Sequence, residues 1–156
     1  MSWPLFAIGA VGIIAGGLVA AATARSPSEN ASWAAAYLVL VVGVAQIALA
    51  AGQAVFSADP LTGRAVGLEA GGWNAANALV IAGTLAGIDV IVYIGGALLV
   101  VALAAFAYAV RGTGGFAPPL HERHMRWMLY AFRAIVLLLL VSVPIGIVLA
   151  TVRADS

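Results

Sequence analysis

Apolar residues run along this chain in blocks of membrane length, and the polar positions between them mark turns or stand alone inside a block. The first block, residues 3–24 (WPLFAIGAVGIIAGGLVAAATA), is long enough at about 1.5 Å per residue to cross a hydrocarbon core about 30 Å thick. Ala22, Thr23 and Ala24 ahead of Arg25 resemble a signal-peptidase site, but no Lys or Arg precedes Arg25. The apolar core also exceeds the roughly 7–15 residues of a leader, so a retained span is favoured over a cleaved one. A four-span chain lacking residues 1–24 is the alternative. The polar loop RSPSENAS then delivers a second span at about 31–56, and SADPLTGR closes it with turn residues.

Residues 65–110 are apolar for roughly 69 Å of helix, too long for one crossing, so the chain must fold back within them. Gly87 suits a helix C-cap and Asp89 the next N-cap, which splits the run into spans 66–86 and 89–110. A Gly, Pro and charge-rich loop, 111–125, leads to a fifth span at about 125–152, with Pro144 placed to kink it. The pattern predicts an all-α, polytopic transmembrane helix bundle of five spans (about 3–24, 31–56, 66–86, 89–110 and 125–152), forming one integral membrane domain over residues 1–156.

Composition agrees: 64% of the 156 residues are hydrophobic, 8% are charged, and the mean hydropathy is +1.11. Those values lie far from soluble domains. The net charge of +1 gives no electrostatic case for nucleic acid. Without cysteine there is neither a disulfide frame nor a thiolate metal site. Arg64, Arg111, Arg123 and Arg126 fall on the side of the N-terminus, and Arg25 and Arg153 on the other. The excess of Arg places the N-terminus in the cytoplasm and the chain in a plasma or inner cell membrane. Trp3, Tyr108, Trp127 and Tyr130 then fall at one interface, and Trp33, Tyr37 and Tyr93 at the other.

Candidate chemistry is confined to polar residues inside the spans. Glu69, Trp73, Asn77 and Thr84 lie within about 80° of one another on a helix, with Asn74 about 60° further round, so they are expected to face protein. Gln46 and Gln53, seven residues apart, share a face with Gly43 and Ala50 and read as interhelical hydrogen-bonding groups. Arg133 lies roughly 10 Å deeper than Arg126, and Glu69 roughly 7–8 Å deeper than Arg64, which predicts a Glu69–Arg133 ion pair at matched depth. With Trp73, Asn74, Asn77, Tyr130, Gln46 and Gln53 it would form a polar cluster in the inner half of the bundle.

His121, Glu122, Arg123 and His124 miss the zincin spacing, since Met125 occupies the fifth position, and no further His or Cys completes a metal site. Neither His lies in a span, so haem is not expected, and no cofactor, metal or catalytic set can be assembled. Gly12 with Gly16, Gly67 with Gly71 and Gly83 with Gly87 are spaced for close helix contact. No motif is specific enough to place the chain in a family. The pattern favours a non-enzymatic membrane protein, an accessory or assembly subunit of a larger membrane complex, with a membrane protein or a second copy as partner. The alternative is a small transporter or ligand-binding membrane protein that uses the cluster around Glu69 and Arg133. An enzyme acting on lipid ranks third.

Overall fold

A computed structural model describes residues 3–56, 62–109 and 127–142, and among them every regular element is helical. Five helices follow in order: α1 (Trp3–Thr23), α2 (Glu29–Phe56), α3 (Gly63–Ala86), α4 (Asp89–Ala109) and α5 (Trp127–Ser142). The chain divides into two compact units, Met1–Ala51 and Gly52–Ser156, and α2 runs from the first into the second.

In the first unit α1 and α2 are antiparallel, and glycine determines how close they come. Gly9, Gly12 and Gly16 are buried along one face of α1. A Cβ at Gly16 would lie 2.7 Å from the carbonyl oxygen of Ala35 and 3.0 Å from the nitrogen of Val39, both backbone atoms of α2. Gly43 reciprocates, since a Cβ there would stand 3.1 Å from the Ile13 nitrogen and 3.2 Å from the Gly9 carbonyl oxygen. The helices therefore meet backbone to backbone, the geometry small residues permit. Over Leu38–Ala45 α2 is a π-helix, whose i→i+5 bonding widens the turn where Val39, Val42 and Gly43 meet the glycines of α1. Ser28 caps the N-terminus of α2, its hydroxyl accepting from the Ala31 amide at 3.2 Å, so the helix begins at Glu29 rather than near 31.

The second unit holds the end of α2 with α3, α4 and α5. Thr62 caps α3 by accepting from the Ala65 amide at 3.2 Å, and the helix starts a turn earlier than the apolar pattern predicts. It ends at the predicted place. Gly87 adopts φ 68°, ψ 31°, the left-handed conformation that glycine reaches without a Cβ penalty. The Ile88 amide donates to the Gly83 carbonyl (2.9 Å) and the Gly87 amide to the Thr84 carbonyl (3.3 Å), which together form a Schellman cap. Asp89 is not the cap of α4: the Ile88 carbonyl accepts the first amides, and Asp89 sits in the first turn, where a carboxylate favours the helix dipole. Past this turn α4 runs back along α3. A Cβ at Gly95 would lie 2.8 Å from the Val80 nitrogen and 2.9 Å from the Ala76 carbonyl oxygen.

Three of the five predicted spans are helices long and apolar enough to cross a membrane: α1, α2 and α4. The other two predicted spans contain helices that fall short of that length or apolarity. Although α3 is 24 residues long, Glu69, Asn74, Asn77 and its glycines dilute it below the apolarity of the others. The described part of the fifth predicted span, α5, is a shorter apolar helix. The loop at 111–125 and Pro144 lie outside the described residues.

The glycines separate into two experimental classes. Gly95→Leu forces a side chain against the backbone of α3 and is expected to destabilise the chain by about 1–3 kcal/mol or more. At Gly71 a Cβ would meet nothing within 4 Å, and Gly71→Leu is expected to stay within about 0.5 kcal/mol of wild type. Thermal unfolding of the two variants in detergent, followed by circular dichroism, checks the difference.

Candidate functional site

The polar residues of the second unit centre on Glu69. The Gln53 side-chain amide of α2 donates to Glu69 Oε2 of α3 at 2.8 Å. One turn along α3, Trp73 is 1% exposed and sets its ring edge-on to Phe106 of α4, with centroids 6.0 Å apart and planes at 89°. Edge-to-face pairs of this kind add about 0.5–1.5 kcal/mol to the area they bury. Asn77, also 1% exposed, lies a further turn on, so the stripe predicted on this helix does turn inward.

The asparagines act on their own helix. Asn74 Nδ2 donates to the Ala70 carbonyl and Asn77 Nδ2 to the Trp73 carbonyl, each at 2.8 Å. Such i−4 back-bonds use the second lone pair of a helical carbonyl. Asn74 remains half-buried at the edge of the packed face.

The predicted Glu69–Arg133 ion pair is absent from the described residues. Glu69 takes its hydrogen bond from Gln53 instead, and Arg133 is exposed. The reason lies in the face that α5 presents: Phe132 and Val136, each 5% exposed, pack inward, and Arg133 is turned about 100° away from Phe132. Tyr130 is exposed as well and stacks edge-on against Trp127 at 6.4 Å. Nor does Gln46 belong to this cluster. It lies in the first unit, fully buried, with Nε2 donating to the Leu5 carbonyl of α1 at 3.1 Å. The structure thus brings Gln53, Glu69, Trp73 and Asn77 together in the second unit, with Asn74 at the edge, and leaves Gln46, Tyr130 and Arg133 out. His121 and His124 lie outside the described residues.

Phe132 was not legible as a contributor. It seats against Gly52 of α2 and faces Phe56 at 6.1 Å. The glycine, a flat spot one residue before Gln53, is the signal that points to it.

Two buried atoms of this node, Gln53 Oε1 and Trp73 Nε1, have no hydrogen-bond partner among the described residues. An interhelical side-chain hydrogen bond in hydrocarbon averages about 0.6 kcal/mol. Each buried polar atom without a partner costs about 1–3 kcal/mol. The node therefore combines one interhelical hydrogen bond with two buried atoms that have no partner among the described residues. It leaves an acceptor and a donor beside a carboxylate. Compared with known proteins, the chain matches no family model, no curated protein and no solved structure, and its reading rests on its own residues.

The pairing is open to a double-mutant cycle in detergent. Gln53→Leu with Glu69→Leu is expected to show a coupling of about 0.6 kcal/mol, with about 1.7 as an upper bound. Glu69→Leu with Arg133→Leu is expected to be additive within about 0.5 kcal/mol, because the two side chains share no contact. A larger coupling in the second cycle would restore the ion pair.

Proposed function

We propose that the chain is a multi-pass cell-membrane protein of five crossings, with its N-terminus in the cytoplasm, that works as a non-enzymatic subunit of a larger membrane assembly. One observation carries this reading, the outer face of α3. Gly63, Gly67, Gly71, Ala75, Ala78 and Ala82 are all exposed. On a helical wheel they fall within about 120° of one another. A Cβ built at Gly63, Gly67 or Gly71 meets nothing within 4 Å. Arg64 and Leu85 are exposed in the same arc near the two ends of the helix; between Gly67 and Ala82 the exposed residues of the arc carry nothing larger than methyl, and such a surface gains little from lipid tails yet lets another backbone approach closely. Asn74 at its border adds an amide, the kind of group that hydrogen-bonds across helices. The limited apolarity of α3 supports the same reading, since a span covered by protein need not be as apolar as one covered by lipid.

A second reading, a small transporter or ligand-binding membrane protein, is supported by the two unpartnered atoms at Gln53 and Trp73. It differs from the first in one substitution: Trp73→Phe keeps the ring and removes the indole N–H. Under the subunit reading the variant retains its partner, whereas under the ligand reading it loses a bound small molecule. Native mass spectrometry reads both.

For the subunit reading, Gly67→Leu combined with Gly71→Leu is expected to leave the unfolding temperature of the isolated chain unchanged. The same pair of substitutions is expected to abolish co-purification of the partner from mild detergent. Retention of the partner would overturn the assignment of this face. Orientation is tested separately, because the chain has no native cysteine to interfere. Ser26→Cys is expected to react with a membrane-impermeant maleimide on intact cells, and Gly63→Cys only after lysis; the opposite pattern would invert the topology.

A further inference from the structure

The first unit contains an apolar groove of about 440 Å3 beside the contact between α1 and α2. Its existence follows from the packing. Where Gly16 brings the helices into backbone contact, the neighbouring positions Gly17, Ala20 and Ala36 carry little or no side chain, and a trough remains alongside. Gly17 is open, since a Cβ there would meet nothing within 4 Å. The groove ends at the α1–α2 turn, where Ala24, Pro27 and Ser32 form its mouth.

We infer that this groove holds one acyl chain of a glycerophospholipid, whose phosphate is received at Arg25. Three observations converge on that occupant. The lining is predominantly apolar, and from Gly16 to Ala24 it extends about 12 Å along the axis of a membrane-length helix, so it suits a hydrocarbon chain rather than a polar solute. The mouth coincides with the turn that links two helices long enough to span, so in a bilayer it lies at headgroup level. Arg25 is exposed in that turn, between the mouth residues Ala24 and Pro27, and a guanidinium pairs with phosphate through two parallel N–H donors. Neither Arg25 nor Glu29, the acidic residue in the first turn of α2, lines the groove itself; Arg25 directly follows the lining residue Ala24, whereas Glu29 comes two residues after Pro27. A second protein helix is a poorer fit, because the trough is as short as the small-residue patch that forms it.

The test uses the full chain in mild detergent, with dioleoyl phosphatidylglycerol added and bound lipid counted by native mass spectrometry. Wild type is expected to keep one phospholipid under conditions that strip the rest. Gly17→Leu fills the groove without a clash, and Leu is the better helix former, so the fold is expected to survive while retention falls on the order of tenfold. Arg25→Gln is expected to weaken retention of the phospholipid and to leave binding of dioleoyl glycerol, which lacks the phosphate, unchanged. Circular dichroism of each variant shows that the helices are intact. Undiminished retention by Gly17→Leu would overturn the groove assignment. Equal competition by dioleoyl glycerol in wild type would overturn the role of Arg25.

Discussion

Close approach of helix backbones is the constraint from which the rest of this structure follows. Both units use it. In the first, Gly9, Gly12 and Gly16 of α1 lie against Val39, Val42 and Gly43 of α2; in the second, Gly83 and Gly95 bring α3 and α4 together. In the bilayer proposed here such contacts matter more than they would in water. Lipid tails are as apolar as leucine, so helices gain little by hiding apolar surface from them and must gain instead from dense van der Waals contact. Turns and caps serve that end. The left-handed Gly87 reverses the chain tightly enough for α4 to leave α3 and return along it at backbone distance. The π-helical stretch of α2 occupies the same region as its glycine contact with α1, which places the irregular backbone where the packing is tightest.

Once the backbones are this close, polar side chains inside the bundle have short reach and few partners. The amides respond in two ways. Gln46 and Gln53 cross to another helix, the one to the Leu5 carbonyl and the other to Glu69. Asn74 and Asn77 fold back onto carbonyls of their own helix. The difference follows from length: the extra methylene of Gln carries its amide across the contact, whereas the shorter Asn reaches the carbonyl one turn behind it. The arrangement still leaves Gln46 Oε1, Gln53 Oε1 and Trp73 Nε1 without partners among the described residues. The last two belong to the node around Glu69 and are the atoms on which the ligand-binding reading rests.

What the sequence made legible was whatever depends on local chemistry. The break at Gly87 was readable because the apolar run is too long for one crossing and, of its two glycines followed two residues later by an acid (Gly67 with Glu69, Gly87 with Asp89), only Gly87 lies near the middle of the run. The inward turn of Trp73 and Asn77 was readable from helical phase. The ion pair was not. Matched depth constrains Glu69 and Arg133 along the helix axis but says nothing of rotation, and Phe132, held against Gly52 and Phe56, fixes the rotation of α5 so that Arg133 points away. The π-helix was equally hidden, because its residues, LVLVVGVA, have the composition of an ordinary apolar helix and only the tertiary contact distinguishes them. The apolarity of α3 falls short of that of α1, α2 and α4 for a local reason. Its polar residues and glycines lower the average: Trp73, Asn77 and Gly83 are packed inward, while Gly67, Gly71 and Gly72 are exposed.

The two-faced character of α3 also separates it from α1. Both helices carry glycines at spacings suited to close contact, and by sequence alone they are equivalent candidates for meeting a partner. In the structure α1 has spent Gly9, Gly12 and Gly16 within the chain, and its outer face shows Val11, Ile14 and Leu18, side chains large enough to be covered by lipid. On α3 Trp73 and Val80 point inward while Gly67, Gly71, Ala75, Ala78 and Ala82 lie outside, with Leu68 and Leu85 exposed toward the helix ends. The middle of α3 thus exposes small residues, and that stretch gains little from lipid. The same GxxxG spacing therefore has opposite consequences in the two helices, internal cohesion in α1 and an outward-facing surface in α3, and the size of the side chains on the other face decides which.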